Sequence, residues 1–311
     1  MKAIVVNNPG DVSQLEFQEI ARPILQTGEV LVQVKAISIN PVDVKSRAGK
    51  GVYGRIKNQS PLILGWDISG VVTESKVEQF KTGDEVFGMV NFPGHGKAYA
   101  EYVAAAASQL ALKPANISHE EAAASTLAAL TAYQAMVHNA NVQAGQKVLV
   151  HAASGGVGHF AVQLAKYLGA HVTGTSSARN KDFILNLGAD EHLDYTAYDW
   201  ASHPEEFDFV LDGVGGETVD KSLLVTKRGS TIISIPTGLN EAVTEKAKAK
   251  GVNGYFMLVQ SSGSDMQQVA TLLEKGIWKA HVSEIYPFEQ MASAHLQVES
   301  GRTVGKVVVT L

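Results

Sequence analysis

The chain of 311 residues contains no cysteine, which excludes disulfide bonds and thiolate-bound zinc. Charge is sparse: 18% of the residues are Asp, Glu, Lys or Arg, and the formal net charge is −5. With no basic footprint, nucleic acid is excluded as a main partner. Long apolar runs are missing too. The most apolar long segment, residues 122–137, is broken by Ser125, Thr126, Thr131, Tyr133 and Gln134, so no segment is expected to span a membrane. There is no low-complexity linker and no internal repeat. The first residues, MKAIVV, read directly as a strand without the longer apolar core of a signal peptide, and a cytoplasmic address is the expectation. Aside from His95, alone in the loop Pro93-Gly94-His95-Gly96, the histidines show no metal-ligand spacing. His95 itself is either an acid or a structural loop histidine.

What is present centres on residues 146–177, QKVLVHAASGGVGHFAVQLAKYLGAHVTGTSS. Residues 147–151 form a short β-branched and aliphatic run, the pattern of a buried strand. A turn of Ala152, Ala153, Ser154, Gly155, Gly156, Val157 and Gly158 follows. Ala161, Leu164, Ala165 and Leu168 then fall at i, i+3, i+4 and i+7, the stripe of a helix packed on a sheet. Gly169 is placed to end that helix in the left-handed conformation, and residues 171–175 read as the next strand. The spacing A-x-x-G-x-x-G departs from the common G-x-G-x-x-G, and a glycine turn alone is weak evidence of a ligand. Set between two strands and a helix, it reads as a dinucleotide site whose pyrophosphate rests on the helix N-terminus.

One more absence bears on which dinucleotide. NAD-binding units carry an Asp or Glu at the end of the second strand to hold the ribose 2′-hydroxyl. Here Gly174, Thr175, Ser176, Ser177, Ala178, Arg179, Asn180 and Lys181 come before any acid. Small hydroxyls and two cations suit a 2′-phosphate, because charge-assisted hydrogen bonds are the strong kind. NADPH is therefore expected over NADH.

Short strands are expected at residues 3–6, 16–19, 30–37, 70–72, 85–89 and 100–103, with turns at Asn8-Pro9-Gly10, Thr27-Gly28-Glu29 and Thr82-Gly83-Asp84. Ser118 and Glu121 form a capping-box pair at a helix start. From there strands (191–194, 207–212, 231–235, 255–259) alternate with helices (182–187, 217–226, 241–250), the order of a doubly wound parallel sheet. The tail reads as helix 265–275, strand 281–285, helix 288–300 and strand 306–310. The expected organisation is an α/β chain: a β-rich domain of residues 1–117, completed by 260–311, and a Rossmann-type domain of residues 118–259, with the cofactor in the cleft between them.

On Ile39-Asn40-Pro41-Val42-Asp43, Gly65-Trp66-Asp67-Ile68-Ser69-Gly70-Val71-Val72, Lys81-Thr82-Gly83-Asp84-Glu85-Val86, Ala98-Tyr99-Ala100-Glu101-Tyr102, the AASGGVG turn and Gly301-Arg302-Thr303-Val304-Gly305-Lys306, the chain resembles the medium-chain dehydrogenase/reductase superfamily. Within it, the similarity is to the zinc-independent quinone oxidoreductase branch, over nearly the whole chain. The resemblance implies a GroES-like catalytic domain, a Rossmann domain, NADPH and a homodimer. Zinc-dependent relatives place a Cys where Asn40 stands and a His-Glu pair where Trp66-Asp67 stands, so a zinc first shell is not expected. Hydride is then expected to reach an acceptor already electrophilic, a quinone, or alternatively an enone, alkenal or enoyl thioester. A non-catalytic NADPH-binding role, as in crystallins of the family, is the alternative of another kind.

By the same resemblance Asn40 and Asp43 face the nicotinamide. Asn40 either polarises the acceptor oxygen or holds an Asx-Pro turn. Tyr53 either contacts the substrate, stacking or donating a proton, or is a surface tyrosine. Thr126 matches a position at the nicotinamide amide, with helix packing as its alternative. Ser154, Gly155, Gly156, Val157 and Gly158 hold the pyrophosphate. Ser177, Arg179, Lys181 and Tyr195 match positions at the 2′-phosphate, with Arg179 and Lys181 not separable. Gly238 and the segment from Phe256 to Leu258 match the nicotinamide ribose and carboxamide side, and Arg302 either reaches the phosphates or lies in a surface turn.

Overall fold

The structure, a computed structural model, describes every residue except Thr237, Asn240 and Glu241. The first part is rich in strands: β1 (Lys2–Val6), β2 (Leu15–Glu19) and β3 (Glu29–Ile39) precede two short helices, α1 (Pro41–Arg47) and α2 (Tyr53–Ile56). β4 (Asp67–Ser75), β5 (Glu85–Met89), β6 (Tyr102–Ala106) and β7 (Ala111–Leu112) follow. α1 forms because Asn40 is an N-cap with Pro41 at the first helical position, and Asp43 accepts from the Asn40 backbone N–H. β4 starts three residues earlier than the apolar pattern of 70–72 indicates, and this brings Asp67 into the sheet.

α3 (His119–Ala124) starts at the Ser118–Glu121 capping box that the spacing predicts. It is separated from α4 (Leu127–Tyr133) by Ser125 and Thr126. Their hydroxyls donate back to the carbonyls of Glu121 (2.7 Å) and Ala123 (2.9 Å), which competes with continuing the helix.

Next come β8 (Lys147–Val150), α5 (Gly156–Tyr167), β9 (His171–Ser176), α6 (Lys181–Asn186) and β10 (Glu191–Asp194). β11 (Phe207–Asp212), α7 (Glu217–Val225), β12 (Thr226–Ser234), α8 (Val243–Ala249) and β13 (Asn253–Phe256) complete the alternation. The helix start expected at Glu241 lies outside the described residues. The six strands pair in parallel in the order β10-β9-β8-β11-β12-β13. Chain order reverses between β8 and β11, the doubly wound arrangement that opens a crevice at the carboxyl ends of the strands. One side of the sheet packs Leu149, Phe207, Val210, Leu223 and Ile232 into a core.

The tail contains α9 (Gly263–Glu274), β14 (Val282–Pro287), α10 (Met291–Glu299) and β15 (Lys306–Thr310). β15 inserts antiparallel beside β3, in the order β14-β15-β3-β4-β5-β7, with β6 also on β3. The chain accordingly forms two compact units, Met1–Leu130 with Val259–Leu311, and Thr131–Leu258. This division falls after Leu130, whereas the capping box suggested 117/118. No helix among the described residues is long and apolar enough to cross a membrane.

Candidate active site

In the parallel-sheet unit the glycine turn joins the carboxyl end of β8, at the switch point of the sheet, to α5. Gly155 is the N-cap and offers no side chain, so the first turn of α5, formed by Gly156, Val157 and Gly158, is left without a side-chain cap. Those N–H groups and the helix dipole suit an anion. Gly158 packs tightest: a Cβ there would lie 2.7 Å from Ala153 Cα and overlap the Ala152 carbonyl. The left-handed residue of the turn is Ala152, with φ 49°. Its carbonyl accepts from Gly155 N–H at 2.8 Å, and Ala153 N–H donates to Thr175 at 2.9 Å, pinning the turn to β9.

Ser177 follows β9 directly, Arg179 lies in a single turn at Ala178–Asn180, and Lys181 opens α6. Tyr195 follows β10 and donates its N–H to the Ser176 carbonyl at 3.2 Å. The ends of two adjacent strands therefore bring Ser177, Arg179, Lys181 and Tyr195 together, with Arg179, Lys181 and Tyr195 exposed. Two further residues belong here that the sequence reading did not assign. Asn180 Nδ2 donates to Ser154 Oγ at 3.1 Å, linking this corner to the glycine turn. His192 Nε2 meets Ser176 Oγ at 2.9 Å; that hydroxyl donates to the Ser177 carbonyl, so His192 is the donor.

Gly238, exposed with φ 80°, lies beyond β12, and Phe256 is the last residue of β13. Met257 N–H donates to the Ser234 carbonyl at 3.1 Å, which keeps the segment through Leu258 at the carboxyl end of β12. Both lie at the same end of the sheet as the glycine turn. The loop after β11 is fixed by Asp212, which accepts from Val214 N–H, Gly215 N–H and the Ser234 hydroxyl. Behind the turn, His151 is buried. Ser222 Oγ donates to the Thr218 carbonyl, so it accepts from His151 Nε2, and Nδ1 accepts from Thr175. Burial holds this imidazole neutral, its pKa lowered to about 4.

In the strand-rich unit the residues around Asn40 form a buried polar cluster. The register places Ser38 opposite Asp67 and Val307 beside Ile39, which brings Asn40, Asp67 and Lys306 together at the ends of three neighbouring strands. Asn40 is 2% exposed and Lys306 3%. Asn40 Nδ2 donates to Asp67 Oδ2 at 2.8 Å, and its Oδ1 accepts from Lys306 Nζ, which also donates to the Ile39 carbonyl at 3.0 Å. A lysine cannot accept and a carboxylate cannot donate, so the amide orientation is fixed. Asp67 Oδ1 accepts from Leu127 N–H at 3.1 Å and thereby caps α4, with the Thr126 hydroxyl beside it. Thr126 is fully buried.

Asp43 completes the cluster. Burial, and after it the neighbouring Asp67, raise its pKa to about 7. Its Oδ1 makes no hydrogen bond of good geometry, while the Tyr99 hydroxyl lies beside the carboxyl group. Tyr99 meets His295 Nε2 at 2.9 Å, and His295 Nδ1 accepts from Arg47 at 3.2 Å. Arg47 fixes the His295 tautomer, so Nε2–H donates to Tyr99 and leaves the phenolic proton for Asp43. Arg47 is itself held by Glu299 at 3.1 Å.

Asn40 therefore spends its amide on the interior, unlike a group free to polarise an acceptor oxygen. Tyr53 stands elsewhere, half-buried at the start of α2, where with Asn8, Gln18, Lys57 and Ser60 it lines a cavity of about 310 Å³. Arg302 is exposed in the turn after α10, where its N–H donates to Ser300 Oγ at 3.2 Å. His95 Nε2 accepts from Ile63 N–H at 3.1 Å, and burial lowers its pKa to about 4, so its visible work is to hold that backbone.

The donors at the zinc-ligand positions do not suit zinc. Asn40 and Asp67 are bonded to each other, Asn40 is bonded also to the Lys306 ammonium, and Trp66 gives its ring N–H to the Gly94 carbonyl at 2.7 Å. Among the described residues no group of three or more His, Cys, Asp and Glu is placed to hold a metal ion. The turn of Gly155, Gly156 and Gly158, by contrast, fits a nicotinamide dinucleotide: its open helix N-terminus offers the backbone donors a pyrophosphate needs.

Two family models match the chain: an alcohol dehydrogenase GroES-like domain over residues 26–115 and a zinc-binding dehydrogenase domain over residues 187–309. The NAD(P)H oxidoreductase RTN4IP1, mitochondrial, of Danio rerio is 32% identical, with 100% of this chain and 91% of that protein covered. The 2-methylene-furan-3-one reductase of Solanum lycopersicum is 35% identical, with 99% and 79% covered. The solved structure of the quinone oxidoreductase from Coxiella burnetii superposes with a TM-score of 0.94 at 36% identity, covering 100% of this chain and 99% of that one. With its GroES-like strands, its parallel-sheet nucleotide unit and relatives of this kind, the chain belongs to the medium-chain dehydrogenase/reductase superfamily and is an NAD(P)H oxidoreductase related to its quinone oxidoreductases.

Proposed function

We propose that the protein reduces quinones with NADPH and uses no metal ion. The observation that carries this reading is the Asn40–Asp67–Lys306 cluster, which fills the zinc-ligand positions with an internal ammonium. A carbonyl acceptor that relies on Lewis-acid activation gains nothing from such a site. A quinone is electrophilic without help, and its reduced oxygens take protons from water, so positioning supplies most of the rate. Bound NADPH supplies the hydride. The turn of Gly155, Gly156, Val157 and Gly158, with Ser154 at its edge, holds the pyrophosphate. Ser177, Arg179, Lys181 and Tyr195 receive the 2′-phosphate where NAD enzymes carry an acid. Gly238, Phe256 and Leu258 flank the nicotinamide end.

A second reading, reduction of an enone double bond, follows from the resemblance alone and would need Tyr53, which lines a separate cavity of about 310 Å³, to supply the proton that carbon protonation requires. The test incubates the protein with NADPH and a panel of quinones and enones, before and after treatment with a chelator. Quinone turnover unaffected by the chelator is expected. Turnover of enones alone, reduced ~100-fold in Tyr53→Phe, would replace the first reading with the second. Loss of activity to the chelator, restored by zinc, would overturn both.

A further inference from the structure

The cluster at Asn40 contains a buried cation that is no part of the glycine turn or its neighbours. Lys306 is the first residue of β15, and a lysine at a strand end ordinarily reaches water. Here it is buried, and its ammonium is committed to Asn40 Oδ1 and the Ile39 carbonyl. The charged and titratable groups facing it are Asp67 at the start of β4 and Asp43 in α1, with Tyr99, His295 and Arg47 behind Asp43. Two carboxyl groups thus lie in the field of one ammonium. Asp67 has partners on both oxygens, whereas Asp43 keeps one oxygen unpartnered.

The geometry of the two helix starts gives this ammonium its consequence. Asn40 is the N-cap of α1, and Asp67 caps α4 through Leu127, next to Thr126. Lys306 holds Asn40 directly, and through the Asn40 amide it holds Asp67. One side chain therefore sets both helix starts, and those starts carry Asn40 and Thr126, buried here, which only the family resemblance assigns to the nicotinamide side. We propose that Lys306 is a positioning residue for hydride transfer, acting through the Asn40 carboxamide and Asp67. The proposal rests on the reductase reading above for its effect on rate, though not for its effect on Asn40.

Lys306→Met removes the ammonium at similar length. The double variant Lys306→Met/Asp67→Asn removes both charges and keeps the buried charge balanced, so it is the folded comparison if the single variant does not survive purification. Three readouts apply: kcat and KM with NADPH and a quinone, melting temperature, and the side-chain amide resonance of Asn40 in protein labelled with ¹⁵N at asparagine. Lys306→Met is expected to lower kcat by about 10- to 100-fold, with KM for NADPH nearly unchanged, and to shift the Asn40 resonance. The double variant is expected to recover melting temperature without recovering kcat.

A double variant with parental kcat would overturn the proposal, because the lysine would then only balance Asp67. An Asn40 resonance unmoved in either variant would overturn it as well. Parent protein inactive on every quinone and enone would sink the reductase reading instead, while the Asn40 resonance would still decide whether Lys306 positions that amide.

Discussion

His151 and His295 are both buried and both neutral, yet their surroundings differ in kind. His151, in the parallel-sheet unit, sits between the hydroxyls of Thr175 and Ser222. In the same unit the buried carboxylate Asp212 is satisfied mainly by N–H groups two and three residues along its own loop. His295, in the strand-rich unit, accepts from a guanidinium and donates toward a phenol that leads to Asp43, Asp67 and Lys306. Its partners come from both ends of the chain: Lys306 and Asn40 are 266 residues apart, Arg47 and His295 248. One unit builds its site from local backbone chemistry, the other from ions assembled when the tail returns to the head. A buried ion is tolerated only while every partner is present, so the second arrangement is the more sensitive to charge and pH, the first to shape.

Shape should produce the largest effect. Gly158→Val is expected to abolish folding of the parallel-sheet unit, because even a Cβ overlaps the Ala152 carbonyl and Ala153. Gly156→Val, in the first turn of α5, is expected to leave a folded protein that no longer binds NAD(P)H. Circular dichroism and cofactor titration on both variants separate the two roles. A Gly158→Val protein melting with the parent would show that the turn does not need that close approach.

Charge comes next. The Asp43 pKa is raised to about 7, so between pH 4 and 7 the folded state holds a proton that the unfolded chain releases. The stability this group adds is complete below pH 4 and disappears as pH rises through 7, a change of roughly 4 kcal/mol. Asp43→Asn should therefore be less stable than the parent near pH 5 relative to its standing at pH 8. A difference in melting temperature that does not vary with pH would show that Asp43 is ionised throughout.

The histidines act with the opposite sign. His151 and His295 have pKa values lowered to about 4 and about 3, so each adds stability above pH 6.5 that is lost as pH falls toward those values. For His151 the change is about 3 kcal/mol. His151→Asn should flatten the acid limb of the stability curve attributable to the parallel-sheet unit. An acid limb as steep as the parent's would place its origin in the strand-rich unit.

The same contrast explains what could be read in advance. The β8–turn–α5–β9 unit was legible because each signal lies within a few residues: aliphatic strand, glycine turn, i, i+3, i+4 stripe, and Gly169 at φ 83°. The helix start at Ser118 was legible for the same reason. α1 was also written locally, in Asn40-Pro41-Val42-Asp43, which is an N-cap, a first-position proline and a capping acid. The sequence offers an Asx-Pro turn there but not a helix, since the following residues, Lys45, Ser46 and Arg47, show no apolar stripe. Arg47 is in fact buried, on Glu299 and His295. Lys306 closes the Gly301–Lys306 motif but carries no sequence signal of its burial or of its partner. Its partner lies at the other end of the chain, and only the antiparallel register of β15 on β3 brings the two together.

The smallest effect concerns the exposed corner after β9, and it tests whether the local unit also sets cofactor choice. Arg179 and Lys181 flank Asn180, which is tied to Ser154 of the glycine turn, and Tyr195 is held beside Ser176. The corner is therefore positioned by backbone even though its cations are exposed. A charge-assisted hydrogen bond contributes ~1.5–3 kcal/mol, or roughly 10- to 150-fold in affinity. Arg179→Ala should weaken NADPH by about that factor at low salt and leave NADH nearly unchanged, because NADH has no 2′-phosphate to lose. Exposure also means screening, so the preference should shrink as salt is added. Measuring kcat/KM for both cofactors in the parent, Arg179→Ala and Lys181→Ala separates the two cations, which the spacing alone left equivalent. Equal losses for NADPH and NADH would assign the cations to the pyrophosphate or to the fold. A parent that already favours NADH would remove the 2′-phosphate from this corner and leave its two cations as ordinary surface charges.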